Sequence, residues 1–253
     1  MKGGACNVLL LDLDGTLVDS RPGVLDCFRF ALAGVGRPQP AGADLTWIIG
    51  PPLRRSFAAL LGGPADVEAA LGLYRARYAS EGLFQATVYD GVEEALAELK
   101  TSGVRLFLCT SKPLVYAERI LERFDLARHF EAAFGAELDG RLEDKGELIA
   151  HILADRRLKA SAFVMLGDRS HDVVAARRHA IPAIGALWGY GGEEELSAAG
   201  RRSWSRARPT SQPPSAAFLA APSDAKRRPR CRPPHPEELG PDRGSWAPQE
   251  EGG

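Results

Sequence analysis

Val8-Leu9-Leu10-Leu11-Asp12-Leu13-Asp14-Gly15-Thr16 decides how the rest of this chain is read. The apolar run is short, unbroken and followed by a glycine, which predicts a central strand of a parallel sheet, buried on both faces. Ligands collect at the carboxyl ends of such strands, and this one ends in two carboxylates. One carboxylate there can attack phosphorus and form an acyl phosphate. The second, two residues on, can protonate the leaving group and later deprotonate a water. Repulsion from a phosphate dianion then calls for a divalent cation and fixed positive donors at other strand exits. The competing reading makes Asp12 and Asp14 plain turn residues beside a flexible glycine.

Later stretches weigh against a plain turn. Val104-Arg105-Leu106-Phe107-Leu108-Cys109 reads as another strand and ends in Thr110-Ser111-Lys112-Pro113, with Pro113 suited to open a helix. The Thr110 hydroxyl and nearby amides can hold phosphate oxygens, or Thr110 can be an ordinary helix N-cap. Glu143-Asp144-Lys145-Gly146-Glu147 precedes the apolar helix face Leu148, Ile149 and Ile152. Phe163-Val164-Met165-Leu166 reads as a third strand and runs into Gly167-Asp168-Arg169-Ser170-His171-Asp172. Its two carboxylates, four residues apart, offer the oxygen ligands that suit Mg²⁺. His171 is a softer donor and is assigned a supporting or surface role rather than metal ligation, and Arg169 is expected to be exposed.

Four elements in this order resemble the haloacid dehalogenase superfamily of phosphatases, over essentially all of residues 5 to 200. GPPLRRSFAALLG, YDGVEEALAEL and ALWGYGGEEEL look like its phosphoglycolate phosphatase branch, which also holds enzymes acting on nucleoside monophosphates. The resemblance implies Asp12 as nucleophile and Asp14 as general acid and base, its backbone carbonyl meeting the metal. It implies Thr110 as phosphoryl binder and Lys145 as the cation that neutralises nucleophile and phosphate. Gly15 and Ser111 would join Thr110 in binding substrate; Arg54, which with Arg55 follows Gly50-Pro51-Pro52-Leu53, is the candidate to meet a substrate carboxylate or second phosphate, the alternative for either arginine being a solvated face. Mg²⁺ would be held by Asp12, Asp14 and Asp168, with Asp172 ligating through water or orienting the others. Position 14 also narrows the chemistry, since dehalogenating members lack this second acid and the pumps carry lysine where Leu13 stands. A phosphatase and a sugar phosphomutase both remain compatible.

Between the first two motifs the pattern is helical. Val24, Phe28, Ala31 and Val35 share one face after Pro22, a second segment runs from Pro51 through Leu60, and a third from Ala65 to about Tyr78. This resembles the family's small helical cap, residues 21 to 84, over a doubly wound α/β core of residues 1–20 and 85–200. The cap's role would be to close over the core, exclude water and meet the leaving group. Arg54 and Arg55 are adjacent on a helix, point about 100° apart and cannot both face a substrate. Short strands are expected at Phe130 to Phe134 and at Ala183 to Leu187.

The chain has 253 residues, 45% of them hydrophobic and 26% charged, with a formal net charge of −1, as in a globular protein with no electrostatic case for nucleic acid. No stretch has the length of a membrane span, and MKGGACNV enters the first strand too soon for a signal peptide. Cys6, Cys27, Cys109 and Cys231 form no CxxC pair, which fits a reduced cytoplasmic protein. The expected partner is a small phosphorylated metabolite, and the expected state a monomer or homodimer.

From Arg201 onward apolar periodicity disappears. Ten of the 18 prolines lie in these last 53 residues, with ten basic residues against six acidic ones. That composition predicts disorder over residues 201–253. Family members usually add one more strand and helix here, and that pattern is missing. A frameshift in a GC-rich gene would give such a mixture; a basic tail for an acidic partner is the alternative.

Overall fold

The computed structural model describes residues 7–200 and the strand Ser203–Ser205. Strand β1 (Val8–Leu11) lies in the middle of a six-stranded sheet. On one side it pairs in parallel with β4 (Arg105–Pro113) and through it with β5 (Ala132–Ala136). On the other side come β6 (Phe163–Gly167), β7 (Ala183–Ala186) and β8 (Ser203–Ser205), also parallel. The order β5-β4-β1-β6-β7-β8 with helices on both faces is the expected doubly wound α/β architecture.

Alternation along each strand sorts side chains into two cores. Leu9, Leu11, Leu106, Leu108 and Leu166 enter one, while Val8, Leu10, Phe107, Cys109, Phe163 and Met165 enter the other. The first core is covered by α4 (Val92–Thr101) and α5 (Leu114–Arg123), the second by α6 (Lys145–Arg156), α7 (Ser170–Arg178) and α8 (Glu193–Ala198). Continuous apolar runs mark these strands because both faces are dry. Leu10 is fully buried, and truncating such a leucine to alanine costs about 2–5 kcal/mol.

The helical segment between the first two motifs leaves and re-enters through a two-stranded antiparallel pair, β2 (Val18–Asp19) and β3 (Thr87–Val88). It contains α1 (Arg21–Gly34), α2 (Leu53–Ala58) and α3 (Pro64–Ser80). Pro22 sits in the first turn of α1, where its missing N–H costs nothing. Val24, Phe28 and Ala31 of α1 are buried, as are Leu71, Tyr74 and Tyr78 of α3. Phe57 of α2 stacks on Phe28 with ring centroids 4.2 Å apart. These side chains share one apolar cluster with Leu9, Leu11 and Leu108 of the sheet, so the segment packs onto the core.

Three differences from the sequence expectations have local causes. Strand β5 begins two residues later than Phe130, because the Phe130 amide closes a short 3₁₀ turn onto the Ala127 carbonyl. Strand β4 continues through Thr110 to Pro113 across an irregular register with β5, which places Thr110 inside a strand and leaves Pro113 as the N-cap of α5. Ser203–Ser205, inside the stretch expected to be disordered, forms a strand that pairs with Ile184 to Ala186. An edge strand needs ladder hydrogen bonds rather than an apolar run, so hydropathy gave no sign of it. The rest of the predicted tail lies outside the described residues. No helix among the described residues is long and apolar enough to cross a membrane.

Candidate active site

The chain leaves β1 in a tight turn: the Thr16, Leu17 and Val18 amides all return to the Leu13 carbonyl. Gly15 adopts a φ of +79°, the left-handed region that a side chain resists. A Cβ there would also stand 2.2 Å from Asp168 Oδ2. Glycine is thus required twice over, by the turn and by the nearness of Asp168.

Asp12 is the first residue past β1 and Asp168 the first past β6. The two strands run in parallel with Leu11 opposite Leu166, which brings both carboxylates to one corner. Asp172 reaches the same corner from the first turn of α7, where its Oδ2 accepts the Arg169 amide at 3.0 Å. Ligand oxygens of Asp12, Asp168 and Asp172 all lie within 4.8 Å of one another, and all three residues are buried. Asp168 is further held by the Thr16 hydroxyl at 3.3 Å and the Tyr190 amide at 2.7 Å.

Lys145 opens α6 directly after Asp144, whose carboxylate caps the helix by accepting the Gly146 and Glu147 amides. A lysine at a helix N-terminus opposes the macrodipole, so its tertiary partners must account for its place. Its Nζ is 2.9 Å from Asp12 Oδ2 and also donates to Asp172 Oδ1. Burial would lower this ammonium's pKa, but Asp12 and Asp172 hold it above the ordinary 10.5.

One ammonium does not balance three carboxylates. Burial lifts Asp12 to about 6 even with Lys145 beside it. Asp168 is raised well above the ordinary 3.8 by burial and by the charges of Asp172 and Asp12, and it makes no ion pair among the described residues. Excess negative charge on clustered hard oxygen donors fits a divalent cation such as Mg²⁺. His171 stands outside the cluster, half-buried beside an outer groove.

The Asp14 side chain is turned to a different partner. Its Oδ2 lies 2.9 Å from Lys112 Nζ, and Lys112 in turn donates to the Tyr78 hydroxyl at 2.8 Å. Asp12, Asp14, Thr110, Ser111 and Lys112 line a cavity that Arg54, Tyr74 and Tyr78 of the helical segment also line. Thr110 is buried, its hydroxyl accepting the Lys112 amide at 3.2 Å. Arg54 pairs with Glu68 at the cavity wall, whereas Arg55 is exposed on the outer groove.

Sequence reasoning gave no role to several residues of this site. Lys112 had one signal, its spacing of two from Thr110 along a strand. Trp188 and Tyr190, from the loop after β7, stood within the resemblance string ALWGYGGEEEL but were given no role: the Trp188 indole donates to the Thr16 carbonyl, and the Tyr190 hydroxyl accepts the Ser20 amide and donates to Asp19. Arg169, expected to be exposed, is buried. Its guanidinium donates to the Ile49 carbonyl of the helical segment and to Glu195 of α8, and this pairing is what permits its burial.

The family model for haloacid dehalogenase-like hydrolases matches residues 9–186, from β1 through β7. The chain belongs to this family. Among relatives of this haloacid dehalogenase-like chain, the 5′-nucleotidase of Pseudomonas aeruginosa is 42% identical over 191 residues, covering 75% of this chain and 86% of that protein. The tyrosine-protein kinase PtkA of Mycobacterium tuberculosis is also 42% identical, over 75% of this chain, which spans only 65% of PtkA's length. A phosphoglycolate phosphatase of Caulobacter vibrioides is 33% identical, covering 72% of this chain and 79% of its own. The crystal structure of a predicted phosphatase from Clostridium acetobutylicum superposes with a TM-score of 0.77 at 36% identity, covering 79% of this chain and 94% of that one.

Proposed function

We propose that this chain is a Mg²⁺-dependent phosphoric monoester hydrolase that acts on small phosphorylated metabolites in the cytoplasm, as a monomer or homodimer. The carrying observation is the Lys145 ammonium set between Asp12 and Asp172, with Asp168 beside them and Asp14 and Thr110 on the same cavity. Phosphatases and phosphoglycolate phosphatases among the relatives support the same reading.

In this reading an Asp12 oxygen bonds to phosphorus as the bond from phosphorus to the leaving oxygen breaks, and Asp14 gives its proton to that oxygen. A water oxygen then attacks phosphorus, the bond to Asp12 breaks, and Asp14 takes the water's proton. Inorganic phosphate leaves and both carboxyl groups are restored. Lys145 neutralises Asp12 and the transferring group, and the Thr110 hydroxyl holds a phosphoryl oxygen. Asp12, Asp168 and the Asp14 carbonyl would hold Mg²⁺, with Asp172 behind them, and the ion would supply charge neutralisation for the phosphoryl oxygens. The helical segment acts as a cap that keeps bulk water from the site.

Phosphoglycolate is the first candidate substrate. A nucleoside 5′-monophosphate is the second, favoured by the aromatic cavity wall of Tyr74, Tyr78 and Tyr116 and by the nucleotidase relative. Phosphate release from a panel of both esters, with and without Mg²⁺, separates them. A sugar phosphomutase would yield an isomer and no free phosphate. Transfer to a tyrosine acceptor in place of water would align the chain with PtkA instead.

A further inference from the structure

One buried polar contact joins the helical segment to the reacting corner, and the steps above leave it without a task. Lys112 ends two residues beyond Thr110 with its side chain only 6% exposed. Its ammonium contacts Asp14 Oδ2 at 2.9 Å, the Tyr78 hydroxyl at 2.8 Å, and the Tyr78 ring with 4.8 Å to the centroid. Tyr78 belongs to α3 and is itself held, stacked on Tyr74 with centroids 5.3 Å apart and edge-on to Tyr116 of α5 at 5.5 Å. An ammonium is costly to bury unless it is paired and hydrogen-bonded, so the carboxylate and the phenol together account for its place. Asp14 thus has one oxygen fixed. Its Oδ1 is buried with no hydrogen-bond partner among the described residues.

We propose that Lys112 is a positioning residue for Asp14, and that Tyr78, by holding Lys112 from the helical segment, makes the placement of Asp14 depend on that segment being closed over the sheet. The inference rests on the phosphatase reading. Lys112 keeps Oδ2 and so leaves Oδ1 to exchange protons: Oδ1 gives a proton to the leaving oxygen as its bond to phosphorus breaks, and takes one from water as water bonds to phosphorus. Lys112 transfers no proton and touches no reacting atom. When the segment opens, the Tyr78 hydroxyl departs and water reaches the ammonium, which loosens its hold on the carboxylate. Closure and chemistry are thereby coupled through one side chain.

The test uses the full chain and two kinds of ester. An alkyl phosphate that the wild type hydrolyses needs its leaving oxygen protonated, whereas p-nitrophenolate leaves with little help. For Lys112→Met, kcat on the alkyl ester should fall on the order of 10²-fold with KM within about threefold, as expected when a proton donor is misplaced. Single-turnover release of p-nitrophenol, which reads only the first step, should fall less than about fivefold. Tyr78→Phe removes one hydroxyl and keeps the ring stack; it should show the same split at about tenfold. Lys112→Arg should recover part of the loss. If Lys112→Met does not fold, Tyr78→Phe carries the test. A raised KM with unchanged kcat would make Lys112 a substrate contact, and equal losses on both esters would make it structural; either overturns the proposal. A wild-type chain that hydrolyses neither ester removes the phosphatase reading and this inference with it.

Discussion

Lys145 and Lys112 are both buried ammonium groups paired with an aspartate of the first motif, yet they are held by different parts of the molecule. Lys145 meets Asp12 and Asp172 through strand exits and two helix starts of the α/β core alone. Lys112 meets Asp14 from β4 but shares its charge with Tyr78 of the helical segment. The inner corner is a scaffold whose parts converge because parallel strands in register end together. The outer corner is completed only when α3 packs onto the sheet. The proposed nucleophile and metal ligands therefore sit on the α/β core alone, and the proposed proton carrier sits where the core meets the helical segment.

The harshest way to break the comparison is to disable the inner corner. Asp12→Asn keeps the shape and removes the attacking charge, and kcat should fall on the order of 10³-fold or more while substrate still binds. Acid-quenched protein should then carry no acyl phosphate, and turnover within tenfold of the wild type would end the nucleophile assignment.

Metal removal sharpens the contrast further. EDTA should abolish activity and Mg²⁺ restore it. Asp168→Ala should cost about 10–100-fold and weaken Mg²⁺ activation more than Asp172→Ala does, because of the two only Asp168 is proposed to touch the ion. Full turnover in chelator would remove the metal from the proposal.

A steric probe comes next. Gly15→Ala should cost about 1–3 kcal/mol in thermal unfolding and also reduce activity, since its Cβ would displace the Asp168 carboxylate. Gly36, with a φ of +73° and nothing within 4 Å, isolates the backbone strain alone. Gly36→Ala should cost about 1 kcal/mol and leave kcat intact. Equal activity in the two variants would mean that Asp168 tolerates displacement.

The smallest expected effect lies at the start of α6, which carries Lys145. Burial pushes the Asp144 carboxyl upward, but the Glu147 and Gly146 amides and Arg178 outweigh it and hold it below 3.8. A carboxyl depressed on folding contributes stability above its unfolded pKa and loses it as pH falls through the folded one. Asp144→Ala should therefore cost about 1 kcal/mol, or about 2–4 °C in Tm, at neutral pH. Melting curves should show that gap narrowing below pH 3.8. A gap independent of pH would place the cap's contribution elsewhere.

How much was legible follows from the range of each interaction. Strands β1, β4 and β6 could be read because buried parallel strands are unbroken apolar runs, and Asp12, Asp168 and Asp172 because carboxylates just past their exits stand out; Thr110 and Lys145 were singled out only through the family resemblance. Residues whose role depends on a distant partner gave no local mark. Arg169 reads as a surface arginine until Ile49 and Glu195 are placed against it. Tyr190 reads as loop aromatic until its amide meets Asp168. Strand β8 is short and joins the sheet through backbone pairing with β7, which composition does not register.

By itself the sequence determined the order of the central strands and their helices, the helical segment between the first two motifs, and the residues that carry charge at the strand exits. These depend on alternation, caps and glycines within a few positions of one another. Only the tertiary structure decided which charges pair: Lys145 with Asp12 and Asp172, Lys112 with Asp14 and Tyr78, Arg54 on the cavity wall and Arg55 outside it. The reason is physical. Burying an ammonium or a carboxylate is affordable only beside its counter-charge, and those counter-charges lie tens of residues away, where no local pattern in the chain can record them.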